Sequence, residues 1–487
     1  MPSREDFPPP AAATIPWYRG LTGYHWFVLI VCSLGWAFDT LDQQLFNLSR
    51  TPAIKDLLGA GAAMDAVDAY GRYATAIFIF GWATGGIIFG MLGDRWGRAR
   101  TMLLTIVVYS AFTGLSALST TWWDFSIYRF LTGLGVGGEF AAGVSLVAEV
   151  MPARSRPMAL GVLQALSAVG NMGAASISLY LKPQALFEIP GWIAPYLPAG
   201  TETIHGWRLL FLVGVLPALL VVFVMRRIRE PESWLKAKAD LALSPDSHEA
   251  RKAMGSLREF FGDRRWRTRA IIGITLATAG VMGLWGVGFF SPELIRNHVL
   301  RGETKDVQDW YASMGFLLQQ TGAFFGMLVF SLLTARVGRR PAFAVAILAG
   351  LASVVGVFGF MTDRSQIWWM CPVLGFSTLM IFGGYSIYFP ELFPTRLRAT
   401  GTGFCYNTAR YLTAVLIFLS ASVVGLFAAP AGSERAAEKL SGLTVLSSLG
   451  SADDPFRYAA ITIASIYLVG LVAILFAPET RDKPLPE

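Results

Sequence analysis

The chain has 487 residues, of which 54% are hydrophobic and only 15% are charged, and its mean hydropathy is +0.50. Soluble proteins carry about 25% charged residues, so this composition argues against a soluble enzyme and predicts a protein that lies in a lipid bilayer. The net charge of +7 would suit nucleic acid. However, Lys and Arg cluster in short gaps between apolar runs, on alternate sides, which argues against a nucleic-acid partner.

Twelve apolar runs are long enough to cross a bilayer, which takes about 20 residues each. The first six predicted spans are 24–49, 72–92, 101–120, 124–150, 157–180 and 206–226, and the other six are 269–292, 312–334, 341–361, 367–389, 400–427 and 456–477. We therefore predict an all-α membrane protein with twelve transmembrane helices.

Cationic loops predict the orientation. The gaps after the second, fourth, eighth and tenth spans contain several Arg residues, whereas the gap after the third span contains no cation. Because Lys and Arg concentrate in cytoplasmic loops, both termini are predicted to be cytoplasmic in a multi-pass protein of the cytoplasmic membrane. The first apolar run is long enough to span, so it is predicted to be an uncleaved insertion signal.

The longest polar segment, 227–268, is a predicted cytoplasmic linker between two six-helix bundles, 24–226 and 269–477, with tails at 1–23 and 478–487. Internal repeats support two related halves. FGMLGDRWGRAR and FSLLTARVGRRP start 241 residues apart (Phe89 and Phe330), and EVMPARSRPMALG and ELFPTRLRATGTG start 242 residues apart (Glu149 and Glu391). The dipeptide Pro-Glu is a third repeated feature, which occurs at Pro231–Glu232 and again at Pro478–Glu479.

These repeats resemble the major facilitator superfamily. GDRWGR at 93–98 resembles its signature between helices 2 and 3, and ARVGRR at 335–340 resembles the weaker second copy. Four further motifs resemble those of the sugar-porter and metabolite:proton symporter branches, namely RFLTGLGVGGE at 129–139, PESWL at 231–235, PELFPTRLRATG at 390–401 and PETRDKPLPE at 478–487. The resemblance covers nearly the whole chain and implies a transporter of two six-helix bundles.

FDTLD at 38–42 resembles the paired-aspartate element of organic (aromatic) acid:proton symporters, although Thr40 stands where the aromatic-acid family usually has Gly. Asp39, Asp42 and Gln43 share one helical face, and an ionisable residue inside a membrane is a functional candidate by default. Either one Asp only holds a partner Arg, or Asp39 or Asp42 takes up and releases the driving proton.

Arg129, at the start of the fourth predicted helix, is the predicted partner of the Asp pair. Glu139 lies ten residues further on, about 280° around the helix from Arg129. The two side chains therefore have different predicted roles. Glu139 is either a second proton-coupling site or a structural hydrogen-bonding group.

Arg410 lies inside the eleventh predicted span, with Asn407 on the same face. An Arg at this depth requires an anion, which is either a substrate carboxylate bound bidentately or a protein carboxylate. Further cavity candidates are polar or aromatic side chains that together suit an organic acid with an apolar body: Gln43, Gln164, Asn171, Trp285, Phe289, Gln319, Gln320, Tyr385 and Tyr388.

The resemblance also implies a cytoplasmic gate, in which ion pairs latch the two halves together in the outward-open state. Its predicted members are Asp94, Arg95, Arg98, Glu149, Arg154, Glu391, Arg396 and Arg398. The alternative is that these charges only set the topology.

Gly133, Gly135 and Gly138 fit the dinucleotide fingerprint GxGxxG, but they lie inside an apolar span, where small residues let helices approach closely. There is no GxxxxGK[ST] loop, the three cysteines lie in apolar runs, and no Cys/His cluster has zinc-ligand spacing. We predict no cofactor, nucleotide or metal.

We predict a monomeric secondary transporter, not an enzyme, that moves a small organic acid with protons by alternating access. The alternatives are a carrier of a neutral solute such as a sugar, a drug or metabolite:proton antiporter, and a receptor without transport activity.

Overall fold

The computed structural model describes residues 16–59, 61–188, 203–225, 227–243, 254–286, 290–418 and 455–486. In the first half of the chain the helices are α1 (Gly23–Leu58), α2 (Met64–Trp96), α3 (Arg98–Ala117), α4 (Trp122–Val150), α5 (Arg156–Tyr180) and α6 (Gly206–Met225). Between α5 and α6, strands β1 (Leu186–Glu188) and β2 (Thr203–His205) pair antiparallel, with Phe187 opposite Ile204.

The polar middle of the chain forms two short helices, α7 (Glu232–Leu243) and α8 (Leu257–Gly262). The helices that follow are α9 (Arg264–Gly286), α10 (Ser291–Leu294), α11 (Lys305–Val337), α12 (Arg339–Phe360), α13 (Ile367–Leu392), α14 (Arg398–Phe418), α15 (Pro455–Ala464) and α16 (Ile466–Phe476). A π-helical turn, Ile295–Val299, extends α10, and the short 3₁₀ turns Arg364–Gln366 and Thr395–Leu397 precede α13 and α14.

Each predicted span corresponds to a helix over most of its described residues, although α3 ends at Ala117, three residues before the predicted end of its span. Ten helical segments of the described residues are long and apolar enough to cross a membrane. Most extend beyond the predicted bounds: α1 ends at Leu58 instead of 49, and α9 begins at Arg264 instead of 269. The last predicted span is interrupted at Ser465, between α15 and α16. The ends of the predicted spans 269–292 and 400–427 fall partly outside the described residues.

Local chemistry explains several helix ends. Thr22 caps α1 and Thr121 caps α4, each in a capping box with the residue three positions on. A single glycine separates α2 from α3 and another separates α11 from α12. Gly97 has a φ of +120° and Gly338 a φ of +95°, which favours glycine because it has no Cβ. The 241-residue repeat of the sequence therefore corresponds to a repeated sharp turn.

Glycines bring the helices of the first half into close contact. On α4, Gly133 faces the backbone of α2, Gly135 faces the backbone of α3 at Tyr109, and Gly138 faces the ring of Phe89. A Cβ at any of the three positions would meet those atoms. These contacts account for the GxGxxG pattern as a helix-packing feature.

The two halves of the chain meet mainly along two helix pairs, α2 with α14 and α5 with α11, with smaller contacts of α4 with α14 and α5 with α13. Gly86 of α2 and Gly403 of α14 lie at the first contact, where Gly403 approaches the Gly86 carbonyl. Charged side chains occur between these pairs and at both ends of the molecule, for example in the ion pair of Asp56 with Arg208 where α1 finishes. We call the opposite end the Asp94 end, after the carboxylate on α2.

Candidate functional site

The first half encloses a buried ion pair between α1 and α4. Nη1 of Arg129 lies 3.6 Å from Oδ2 of Asp42, and neither side chain is exposed. The Nε and Nη2 hydrogens are donated to hydroxyls, with Nε of Arg129 3.0 Å from Ser116 Oγ and Nη2 3.0 Å from Thr132 Oγ1. A buried charge is costly unless it is paired, and this arrangement pairs Arg129 with one carboxylate only.

The other two buried carboxyl groups face each other. Asp39 on α1 and Glu139 on α4 are 0% and 1% exposed, and their carboxyl groups lie close together, since the Glu139 carboxyl packs against α1 at Gly35, one turn before Asp39. Among the described residues, no group donates a hydrogen bond to any of their four oxygens. Gly35, one turn before Asp39, makes this contact possible, because a Cβ at that position would collide with the Glu139 carboxyl.

Arg410 is buried at the interface of the two halves without a carboxylate partner. Its guanidinium lies 4.1 Å from the ring of Trp82 on α2 and 4.1 Å from the ring of Tyr406 on α14. Nη1 donates to the Tyr406 carbonyl at 2.8 Å and to Asn407 Oδ1 at 3.2 Å. Nε has no hydrogen-bond acceptor, and no ion pair reaches Arg410 from the described residues. The positive charge is therefore held only by rings and neutral oxygens.

Aromatic rings from both halves surround this guanidinium. Phe140 of α4 stacks on Tyr406 with a centroid distance of 3.9 Å, and Trp82 contacts Trp285 of α9 at 6.2 Å. Gln164 of α5 is buried, interacts with Tyr406, and has a side-chain oxygen without a donor. The result is an apolar enclosure with two unsatisfied polar groups of opposite character, a donor on Arg410 and an acceptor on Gln164.

The other predicted cavity residues divide into two groups. Asn171 of α5 donates to Gln320 of α11 at 3.1 Å, across the contact between the halves. In contrast, Gln319 accepts from Ser291 at 2.6 Å and Tyr385 donates to the Leu276 carbonyl at 2.6 Å, both within the second half. Tyr388 likewise donates to the Pro478 carbonyl, Gln43 is buried on α1, and Phe289 lies outside the described residues.

At the Asp94 end, charged groups tie the two halves together. The Asp94 carboxylate accepts backbone hydrogen bonds from Ala399 at 3.1 Å and Thr400 at 2.8 Å, at the N-terminus of α14, where a negative charge is favourable. Glu149 of α4 forms ion pairs of 2.9 Å with Arg98 of its own half and Arg398 of the other half. This end is closed in the structure.

Glu391, the second-half counterpart of Glu149, makes its ion pair within its own half, although its charge also acts on Arg156 of α5 in the first half. Glu391 pairs with Arg339 at 2.7 Å and accepts from Thr480, both within the second half. Ala335 stands where the first half has Asp94. Among the described carboxylates, Asp94 and Glu149 of the first half make the direct contacts that join the halves at this end, and we call these contacts the latch.

The remaining predicted gate residues contact the linker or solvent. Arg95 is exposed and donates to the Met254 carbonyl at 3.2 Å, and Arg396 pairs with Glu259 of α8 at 2.7 Å. Arg154 is exposed at the end of α4. The linker thus contributes to the closed end, since the Gly255 amide also donates to the Arg396 carbonyl at 2.9 Å.

Two carboxylates that sequence reasoning missed cap equivalent helices. Glu230 accepts the backbone N–H of Arg98 at 2.7 Å, at the start of α3. Glu479 accepts the backbone N–H of Arg339 at 2.9 Å, at the start of α12. The structural counterpart of Glu479 is therefore Glu230, whereas the sequence echo matched it with Glu232. Each of these two glutamates follows the last span of its half, and this shared position is the sequence feature that could have identified them as caps.

Helices of spanning length that enclose paired and unpaired charges define a multi-pass helical membrane protein with an internal polar site. The chain belongs to the Major Facilitator Superfamily, whose sequence profile matches residues 25–418. The family resemblance of the sequence motifs is thereby confirmed, and the protein is a membrane transporter, not an enzyme.

Three relatives cover most of the chain. A protein of Haemophilus influenzae inferred to transport a metabolite is 28% identical over 96% of this chain and 99% of its own length. A protein of Cupriavidus pinatubonensis inferred to transport 4-methylmuconolactone is 27% identical over 84% and 85%. The cis,cis-muconate transport protein of Acinetobacter baylyi is 27% identical over 69% and 74%.

Among solved structures, the fold is similar to that of the proton:xylose symporter XylE bound to 6-bromo-6-deoxy-D-glucose. The TM-score is 0.67 and the identity 17%, over 95% of this chain and 98% of the other. At this identity the likeness concerns the fold alone.

Proposed function

We propose that the protein is a proton-coupled symporter that carries a small organic acid across the cytoplasmic membrane by alternating access. In this proposal α6 and α14 add two crossings to the ten segments of spanning length, which gives two six-helix bundles with both termini in the cytoplasm. The observation that carries the proposal is Arg410, a buried cation at the contact of the two halves whose Nε has no acceptor and which no described carboxylate pairs.

The site around Arg410 suits an acid with a flat, unsaturated body. A guanidinium binds a carboxylate through two parallel hydrogen bonds, and one of its hydrogens is already free. The rings of Trp82, Phe140 and Tyr406 provide flat apolar surfaces, and the free oxygen of Gln164 suits a donor on the substrate. The relatives that carry muconate and a muconolactone derivative transport compounds of this chemical class.

The proton-coupling groups are Asp39, Asp42, Arg129 and Glu139. A continuous set of contacts joins them to the substrate site: Glu139 precedes Phe140, Phe140 stacks on Tyr406, and Tyr406 holds Arg410 through its carbonyl. Protonation of Asp42 would remove the counter-charge of Arg129 and change the packing of α1 against α4. Substrate binding and proton binding then bias the same rocking motion.

The Asp94 end is the cytoplasmic gate in this proposal. Its contacts between Asp94 and α14, and between Glu149 and Arg398, hold the halves together at that end. The structure then corresponds to a cytoplasm-closed conformation. Opening toward the cytoplasm requires that these contacts break.

Uptake by proteoliposomes tests the proposal. The purified protein is reconstituted, an inward proton gradient is imposed, and labelled benzoate, nicotinate, gentisate, muconate, xylose and glucose are compared. We expect gradient-driven accumulation of at least one carboxylate, abolished in Arg410→Ala. Accumulation of a sugar alone, or carboxylate flux that ignores the gradient, would refute the proposal and favour a neutral-solute carrier.

A further inference from the structure

We propose that Asp39 and Glu139 form a proton-sharing carboxyl pair that is separate from the Asp42–Arg129 ion pair, so that two protons accompany each transported carboxylate. This inference rests on the proposed function and adds the stoichiometry and the second site to it.

The first observation concerns the hydrogen-bond donors around Asp39 and Glu139. Ionised carboxylates only accept hydrogen bonds, and none of the four oxygens of Asp39 and Glu139 receives one from another group. The thiol of Cys32, which borders Glu139, bonds to the Met102 sulfur at 3.8 Å instead. The Tyr109 hydroxyl on α3 is buried without any partner. The contact between the two carboxyl groups is therefore a hydrogen bond only when one of them carries a proton.

The second step concerns charge. Two ionised carboxylates close together and away from water repel each other, so such a pair readily binds one proton and releases it when the groups separate or meet water. In the part of the chain that the structure describes, no Lys or Arg forms an ion pair with Asp39 or Glu139. The guanidinium of Arg129, on the same helix as Glu139, is occupied by Asp42 and by the hydroxyls of Ser116 and Thr132. Among the described groups no cation is left to this pair, and a proton can take that place.

The third step is geometric. Gly35 lies directly against the Glu139 carboxyl, so α1 and α4 can touch only with this glycine at the contact. Trp36, the next residue, packs on Phe140 with a centroid distance of 4.9 Å. The pair is therefore a tight contact between α1 and α4, built beside the ring that stacks on Tyr406 at the substrate site.

Charge balance then gives a measurable consequence. One proton binds to the Asp39–Glu139 pair and one to Asp42 on one side of the membrane, and both are released on the other side. Two protons and one monovalent carboxylate together carry one positive charge inward. With one proton the cycle would be electroneutral.

The test measures current and uptake together. Proteoliposomes with the wild-type protein receive whichever of benzoate, nicotinate and gentisate accumulates most, and reversal potentials at several proton gradients give the proton:substrate ratio. We expect an inward positive current and a ratio of two. In Glu139→Gln the amide donates to Asp39 in place of the proton, so uptake stays proton-coupled through Asp42 but the current disappears. Cys32→Ser is the matched control and should retain the current.

A second readout does not depend on transport. An infrared spectrum of the purified protein should contain a protonated-carboxyl band that is lost in Glu139→Gln and retained in Asp42→Asn. Electroneutral wild-type uptake, a current unchanged in Glu139→Gln, or absence of that band in the wild-type protein would each overturn the inference. If no carboxylate accumulates under any gradient, the proposed function itself fails, and the infrared result still decides whether the pair holds a proton.

Discussion

Arg410 occupies a position where a positive charge is costly unless an anion reaches it. In Arg410→Ala we expect carboxylate binding to fall by about 2–5 kcal/mol, a loss of roughly 30-fold or more in Kd. Arg410→Lys should recover only part of it, because an ammonium group cannot bind a carboxylate bidentately. Calorimetric titration of the purified protein measures both.

Arg457→Lys provides the control for this loss. Arg457 is buried in the same half but donates to the carbonyls of Phe358 and Met361, at the end of α12. Its replacement should lower the thermal midpoint and leave carboxylate affinity within about threefold, well under 1.4 kcal/mol. Equal losses of affinity in Arg457→Lys and Arg410→Ala would show that Arg410 acts through folding.

We predict that protonation of Asp42 controls whether the charge of Arg129 is paired. In Asp42→Asn the 3.6 Å ion pair is lost, and the side chain can no longer bind and release a proton. We expect gradient-driven accumulation to fall at least tenfold, about 1.4 kcal/mol of driving force, while substrate exchange across the vesicle persists. Counterflow with an equal pH on both sides measures exchange. Loss of exchange as well would assign Asp42 a structural role.

The sequence predicts which charges lie in the membrane but only partly which groups they meet. Periodicity placed Asp39 and Asp42 on one face of α1, and the structure gives them different partners, Glu139 and Arg129. Helical periodicity describes one helix, whereas partner choice depends on how α1 packs on α4. Trp82 and Phe140 were missed because an aromatic residue in an apolar helix resembles ordinary packing. Tyr385, predicted for the cavity, bonds within its own half.

At the scale of single elements, Glu230 and Glu479 stabilise the starts of α3 and α12 by accepting backbone N–H groups. Replacing either by Gln should lower stability by about 1 kcal/mol. The two effects should add, because the sites lie in different halves. Thermal unfolding of the single and double variants in detergent measures this. A double variant no less stable than the singles would contradict independent caps.

The Glu479 cap should also depend on pH. Burial alone would raise the pKa of Glu479, but backbone hydrogen bonds from Arg339, Arg481 and Arg340 outweigh it and lower the pKa below its ordinary value. A group with a lowered pKa stabilises the fold above its unfolded-state pKa and loses that effect as the pH falls through the folded-state value. The difference in thermal midpoint between wild type and Glu479→Gln should therefore be full at neutral pH and shrink in acid.

At the scale of the whole molecule, the two related halves differ in the bonding partners of their equivalent carboxylates. Glu149 joins Arg98 to Arg398 of the other half, whereas Glu391 is bonded to Arg339 and Thr480 of its own half. The sequence repeat predicts two equivalent positions. The packing of the halves then decides that Glu149 stabilises the closed Asp94 end, whereas Glu391 stabilises the second half.

Glu149→Gln and Glu391→Gln are therefore a matched pair. Removing one partner of a buried ion pair costs about 3–5 kcal/mol. In Glu149→Gln the closed conformation loses this stabilisation, because the Glu149–Arg398 ion pair joins the two halves. We expect the open population at the Asp94 end to rise at least tenfold, about 1.4 kcal/mol. In Glu391→Gln the lost ion pair lies within the second half, so the thermal midpoint drops and the open population changes less than in Glu149→Gln.

The readout is the rate at which a thiol reagent labels Leu397→Cys, a buried position in the turn before α14. The background is a variant without Cys32, Cys371 and Cys405, all of which are free thiols. Faster labelling in Glu149→Gln than in Glu391→Gln would follow from a latch that spans the halves. Equal rates would mean that the Glu149–Arg398 contact does not stabilise the closed conformation, and Asp94, which binds the N-terminus of α14, would then be the contact that keeps this end shut.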